Sequence, residues 1–281
     1  MPSRFALFLT IGVAAALRVA PTLTTRAAVA PKRAFAPPTA TISSMVLTHG
    51  TAALVSVSGL TAWIAPKFNT DLYGITSDDG IGDSAYYQVR QVGAWQMVNS
   101  IVLLAGMRGA RSAAATALIA SAWATIACIP ANEYFERPKG PAVLSAIAFA
   151  VLGRFTVRGI ISPFVSGSII GLLGMLIHLT PKETASMYKV DPVKATPLYL
   201  SMLAATGSTI FCTGFYVLAL AAGVAQRAAF GYTMLVNAFF GIKFTLSDGD
   251  GDMGYRTAGL VGPLAIRTAV QTALGGLALL A

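Results

Sequence analysis

The chain has 281 residues, of which 55% are hydrophobic and 11% charged, and its mean hydropathy is +0.68. Charged residues make up roughly a quarter of an ordinary water-soluble domain, so this composition excludes one and implies an integral membrane protein. Twenty lysines and arginines against eleven acids leave a net charge of +9, but the cations are scattered between apolar runs and form no single face, which excludes a nucleic-acid binder.

The first 43 residues carry Arg4, Arg18, Arg26, Lys32 and Arg33 and no acid. Residues 1–16 join a charged start at Arg4 to an apolar stretch from Phe5 to Ala16 that ends in small residues, the pattern of a cleavable signal peptide. Residues 17–43 are rich in Ala, Thr and Pro and have the acid-free composition of a transit peptide. This tandem contains Ala34-Phe35-Ala36-Pro37, and it resembles the bipartite presequences of algae with red-lineage secondary plastids, such as diatoms and haptophytes. Those presequences place an Ala-Phe-Ala-Pro-like motif at the signal cleavage point. Here the literal motif lies further along, and Leu17-Arg18-Val19-Ala20-Pro21 occupies the expected place. The resemblance implies delivery to a plastid membrane, thylakoid or envelope.

A bilayer core of about 30 Å takes roughly 20 apolar residues per helix. Beyond the presequence the chain offers eight such runs, near 44–65, 88–107, 112–131, 140–154, 159–179, 198–223, 228–246 and 257–281. The fourth is short and would need local thinning of the bilayer or snorkelling by Arg154 and Arg158. Laying Trp63-Ile-Ala-Pro66-Lys67 over His178-Leu-Thr-Pro181-Lys182, an offset of 115 residues, puts Tyr73 on Tyr188; with a one-residue gap Gly93 then falls on Gly207, and the turn with Arg108 and Arg111 falls near Arg227. The expected fold is therefore all-α and membrane-integral, with about eight transmembrane helices in two parallel four-helix repeats, 44–156 and 157–281. An even number of spans per unit makes the repeats parallel, unlike the inverted repeats of many transporters. In span length and in the Pro-Lys-to-Tyr segment each unit resembles small four-helix DoxX-like membrane domains, a resemblance that transfers no active-site residue.

Assigning the loops alternately to two sides places all eleven acids, from Asp71 to Asp252, after spans 1, 3, 5 and 7. The opposite turns hold Arg108, Arg111, Arg154, Arg158 and Arg227 without an acid. By the positive-inside rule that basic face is the stromal one, with both mature termini on it.

No expected span contains Asp or Glu, which argues against a proton- or sodium-coupled carrier. Arg267 stands about ten residues into the last run and is a ligand-binding candidate as a buried cation; the competing expectation, from its place near Arg154 in the repeat alignment, ends span 8 there. His49 and His178 are the only histidines and are cofactor candidates, since a neutral imidazole within a span can ligate the magnesium of chlorophyll; carotenoid is the other pigment considered. Gln88, Gln91, Gln96 and Asn99, with Trp95, fall on one face of span 2, and Asn237 in span 7 is a counterpart. Gln96, Asn99 and Asn237 are ligand candidates, although such residues more often glue helices together. Asp248-Gly-Asp250-Gly-Asp252 starts like an EF-hand loop, but Met253 and Gly259 stand where that loop needs Gly and Glu, so the metal expectation is none, with Asp248, Asp250 and Asp252 the only candidates. Glu133 and Glu136, three residues apart beside aromatics, are the catalytic candidates, set against an interfacial anchor.

The expected role is non-enzymatic: a structural, assembly or pigment-associated subunit of a larger plastid membrane complex, with membrane lipids and other subunits as partners. The alternatives are a passive transporter or channel for a small organic anion, and a membrane-bound enzyme acting on a lipid or isoprenoid.

Overall fold

The computed structural model describes residues 39–72, 82–130, 138–193, 195–246 and 261–280, and every element it describes is a helix. Residues 1–38 of the presequence segment, Glu133, Glu136, Asp248, Asp250 and Asp252 lie outside the described residues, and residues 39–43 belong to the first helix. From Thr41 onward the helices belong to one compact unit.

Among the described residues the helices fall into two series of five in the same order. The first series is α1 (Thr39–Ile64), the short α2 (Pro66–Leu72), α3 (Gly82–Gly106), α4 (Ala110–Ala127) and α5 (Lys139–Val157). The second is α6 (Pro163–Leu179), the short α7 (Pro181–Met187), α8 (Pro197–Ala221), α9 (Gln226–Leu246) and α10 (Val261–Leu280). Each of the eight apolar runs is thus helical near its expected ends. The fourth run extends to 19 residues, because Arg154 continues α5 instead of closing it, and its short span needs no special accommodation. Among the described residues α5 and α8 are long and apolar enough to cross a membrane, and the pair α6 and α7 makes a third if taken as one span.

The Pro-Lys segments are more than turns. Pro66 and Pro181 each open a seven-residue helix, as proline does well at a first helical position, where its missing N–H has no partner to lose. Proline also drives the residue before it out of the α region, and Thr180 sits at φ −130° and ψ 57°. The axis turns by 103° between α6 and α7. The backbone bonds around the two breaks match: the amides of Ala65 and Thr180 donate to the carbonyls of Thr61 and Leu176, and those of Asn69 and Thr184 donate to Ala65 and Thr180.

Glycine lets the long helices touch. A Cβ on Gly93 would lie 2.5 Å from the carbonyl oxygen of Gly59 and 2.8 Å from the amide nitrogen of Trp63. A Cβ on Gly207 would meet the carbonyl oxygen of Gly174 at 2.8 Å and the amide nitrogen of His178 closer still. Gly174 is Gly59 shifted by 115 residues, and Gly207 is Gly93 shifted by 114. One turn on, the Ser56 and Ser100 hydroxyls bond across α1 and α3, while Gly171 and Gly214 occupy the matching places between α6 and α8 with backbone against backbone. The turns after α3 and α8 both hinge on a glycine with positive φ, Gly109 at 104° and Gly223 at 83°, where a side chain would be strained.

The α4–α5 and α9–α10 hairpins correspond as well. Gly153 of α5 sits on Ile119 and the Ala115 carbonyl of α4, and Gly275 of α10 sits on Leu235 and the Gly231 carbonyl of α9. Between the halves, α3 and α8 run side by side in the same direction. Gln88 Nε2 donates to Thr206 Oγ1 at 3.5 Å near one end, and Tyr216 Oη donates to the Leu103 carbonyl at 3.3 Å near the other, its ring seated on Gly106.

Candidate functional site

The interior is polar for a bundle of such apolar sequence. Gln88, Gln91, Asn99, Ser100, Ser166, His178, Ser201, Thr206 and Thr213 are buried, and many hydroxyls donate to the carbonyl four residues back, as Thr206 does to Met202 and Thr213 to Thr209. The outside is the reverse. On α5, Leu144 is 68% exposed and Ile147 55%, while the buried positions of that helix are Ala146, Gly153 and Thr156.

Two equivalent places at one end of the bundle differ in content. In the second half, His178 near the end of α6 is 3% exposed. Its Nδ1 is 3.0 Å from the Ala204 carbonyl of α8 and Nε2 is 2.9 Å from Lys243 Nζ of α9. A carbonyl only accepts and an ammonium only donates, so the proton is on Nδ1 and the Nε2 lone pair accepts from Lys243. Phe240 and Phe244 close over the ring edge to face, with centroids 4.5 Å and 5.6 Å away. Neither ring nitrogen is left for a chlorophyll magnesium, so His178 does not fit that ligand. His49 is exposed on α1.

In the first half Trp63 stands where His178 does. Arg90 replaces Ala204, and α4 offers Ala124, Ala127 and Cys128 where α9 has Phe240, Lys243 and Phe244, a shift of 116 residues that also pairs Arg111 with Arg227. Three large side chains become small ones, and a pocket of about 260 Å³ opens, lined by Trp63, Arg90, Gln91, Ala127 and Cys128. A second pocket of about 410 Å³ lies across Arg90, walled by Lys67, Phe68, Tyr86 and Tyr87. The guanidinium lies 5.8 Å from the Tyr87 ring centroid, and its buried Nε has no hydrogen-bond partner among the described residues. Trp63 stacks edge to face on Trp123 of α4 at 5.6 Å.

Of the ligand candidates on span 2, Asn99 is buried and Gln96 half-buried with a buried Oε1 that has no partner. Gln91, on the same face, reaches the pocket. Asn237 is half-buried on α9. Arg267 is half-buried within α10, which runs on to Leu280, so the helix does not stop there. The contacts pair Gly153 with Gly275, which removes the expected match of Arg267 to Arg154. Sequence reasoning missed Arg90 and Lys243 because each falls near the end of an apolar run, where a snorkelling cation is the ordinary expectation. The signal that finds them is the repeat alignment, which sets each cation opposite an alanine. Known family models, curated proteins and solved structures contain no match to the chain.

Proposed function

We propose that the chain is an eight-span membrane protein of two parallel four-helix repeats, delivered to a plastid membrane, where it serves as a non-enzymatic structural or assembly subunit of a larger complex. The observation that carries this reading is the apolar perimeter: large aliphatic side chains such as Leu144 and Ile147 face outward, while many small and hydroxylated ones are buried beside the apolar core. In water such a perimeter is a liability; in lipid it is the required surface, and close packing of small residues with interhelical hydrogen bonds replaces the hydrophobic effect as the source of cohesion. The paired contacts of Gly59 with Gly93 and Gly174 with Gly207 support duplication. The plastid address rests on the Ala34-Phe35-Ala36-Pro37 presequence, and the stromal assignment of the basic ends rests on the arginines at the α3–α4, α5–α6 and α8–α9 turns. Most interior hydroxyls are satisfied by carbonyls of their own helix, as Thr206 and Thr213 are, and a smaller set joins helices, as Ser56 with Ser100 and Gln88 with Thr206 do, which suits a scaffold.

The test is fractionation of the native organism. The chain should resist alkaline carbonate extraction from plastid membranes and co-migrate with other subunits on a native gel. Release by carbonate would overturn the membrane assignment, and migration only as a free small oligomer would overturn the subunit role. A passive carrier for an organic anion is the second reading, favoured by half-buried Arg267 in α10; equal flux through vesicles holding wild type or Arg267→Ala would remove it.

A further inference from the structure

We infer that the pocket around Arg90 is a binding site for the headgroup of an anionic lipid, and that the His178–Lys243 cluster is the same site plugged by the protein's own side chains. The inference rests on the membrane reading above but not on the subunit role.

The two places share a backbone frame, so what differs between them is side-chain content. In the second half the cation is Lys243, its acceptor is His178 Nε2, and Phe240 and Phe244 fill the remaining space. In the first half the cation comes from α3 as Arg90, and Trp63, at the His178 position, presents an indole that offers no acceptor. Small residues of α4 leave the space empty of side chains. Arg90 lines both cavities, and its planar guanidinium suits phosphate or sulfonate oxygens bidentately.

The surroundings select an amphipathic anion over a free one. Ile64 and Phe68 wall the cavities and are also 62% and 61% exposed on the outer apolar surface, so the site opens toward the perimeter where acyl chains would lie. Trp63, Tyr86 and Tyr87 around it are the residue types that settle at headgroup depth. Lys67, at the start of α2, adds a second cation beside the larger cavity.

The test uses the full chain purified in a neutral detergent. Phosphatidylglycerol, phosphatidylcholine and inorganic phosphate are titrated separately, with retained lipid read by native mass spectrometry and folding followed by thermal melting. Wild type should retain phosphatidylglycerol at least about tenfold better than phosphatidylcholine, the worth of one good charge-assisted contact. Arg90→Gln should lose that preference, and Cys128→Phe, which copies Phe244 into the open half, should expel the lipid while the melting temperature holds. Should Arg90→Gln fail to fold, the exposed Lys67→Gln variant should still weaken retention by roughly threefold, and Arg154→Gln at the opposite end should leave it unchanged. Equal retention of the two lipids, undiminished retention in Cys128→Phe, or saturation by inorganic phosphate without a lipid preference would each overturn the proposal. Resistance to carbonate extraction is read on the membranes before they are solubilised, so a failure of the membrane assignment is distinguished from a failure of this site.

Discussion

In the second half of the molecule His178 is held between the Ala204 carbonyl and the Lys243 ammonium under two phenylalanines, whereas in the first half Trp63, Arg90 and three small residues of α4 leave cavities at the matching place. The helices and breaks around both are superimposable in kind: a glycine pair between two long helices, a proline-initiated short helix, a positive-φ glycine in the following turn. What two such halves teach is a division of labour in the chain. The backbone contacts, which depend on glycine and proline, are shared between the halves and set the frame. The large side chains at the frame's end are free to diverge, so that one copy becomes part of the core and the other becomes a site.

If the frame is shared, breaking it should be the largest effect and should be equally severe in both halves. In Gly93→Val and Gly207→Val the first added carbon already meets backbone on the facing helix, which has no rotamer to yield. Overpacking of this kind costs about 3 kcal/mol or more when the helices must separate, and both variants should fail to accumulate or should melt far below wild type. Gly50→Ala and Gly276→Ala, where a Cβ has open space, should be neutral or slightly stabilising. A tolerant Gly93→Val beside an intolerant Gly207→Val would mean that only one half carries the frame.

The two cations should then separate cleanly. Replacing Lys243 with Leu leaves the His178 Nε2 acceptor unpaired in a residue that is 3% exposed, and an orphaned buried acceptor costs about 1–2 kcal/mol. Arg90→Gln removes a group whose Nε has no partner to strand, so lipid-free protein should change by less than about 0.5 kcal/mol. Chemical denaturation in lipid-free detergent measures both. If Arg90→Gln is the more damaging of the two, Arg90 is a structural residue and the division between core and site fails.

The all-helical character and the approximate bounds of the eight apolar runs were legible from run length, because these depend on local rules of helix length and apolar patterning. The short helices α2 and α7 were legible only as Pro-Lys segments after an apolar run, since seven residues give too little periodicity to register. The site was legible in part. Gln91 and Asn99 were placed on the correct face by spacing, but the partners of Arg90 and Lys243 depend on which helices meet, and spacing within one run carries no such information. His178 looked like a free imidazole for the same reason: its two partners lie 26 and 65 residues away.

The smallest expected effect concerns the one place where the shared frame itself differs between halves. Ser56 and Ser100 exchange a hydrogen bond across α1 and α3, where Gly171 and Gly214 set the backbones of α6 and α8 against each other. Interhelical hydrogen bonds in membranes average about 0.6 kcal/mol, because the separated helices also find partners. Ser100→Ala should therefore lower the melting temperature only slightly, with Ser56 finding a carbonyl on its own helix in the manner of Thr206 and Thr213. Ser56→Gly combined with Ser100→Gly copies the second half into the first; the gain in close approach works against the lost bond and the added backbone entropy, about 0.5–1 kcal/mol for each helical glycine. A double variant that melts no lower than Ser100→Ala would identify helix approach, and not the hydroxyl pair, as what holds the first half together. A double variant that melts well below it would show that the serine bond is the first half's own replacement for the tighter glycine seat.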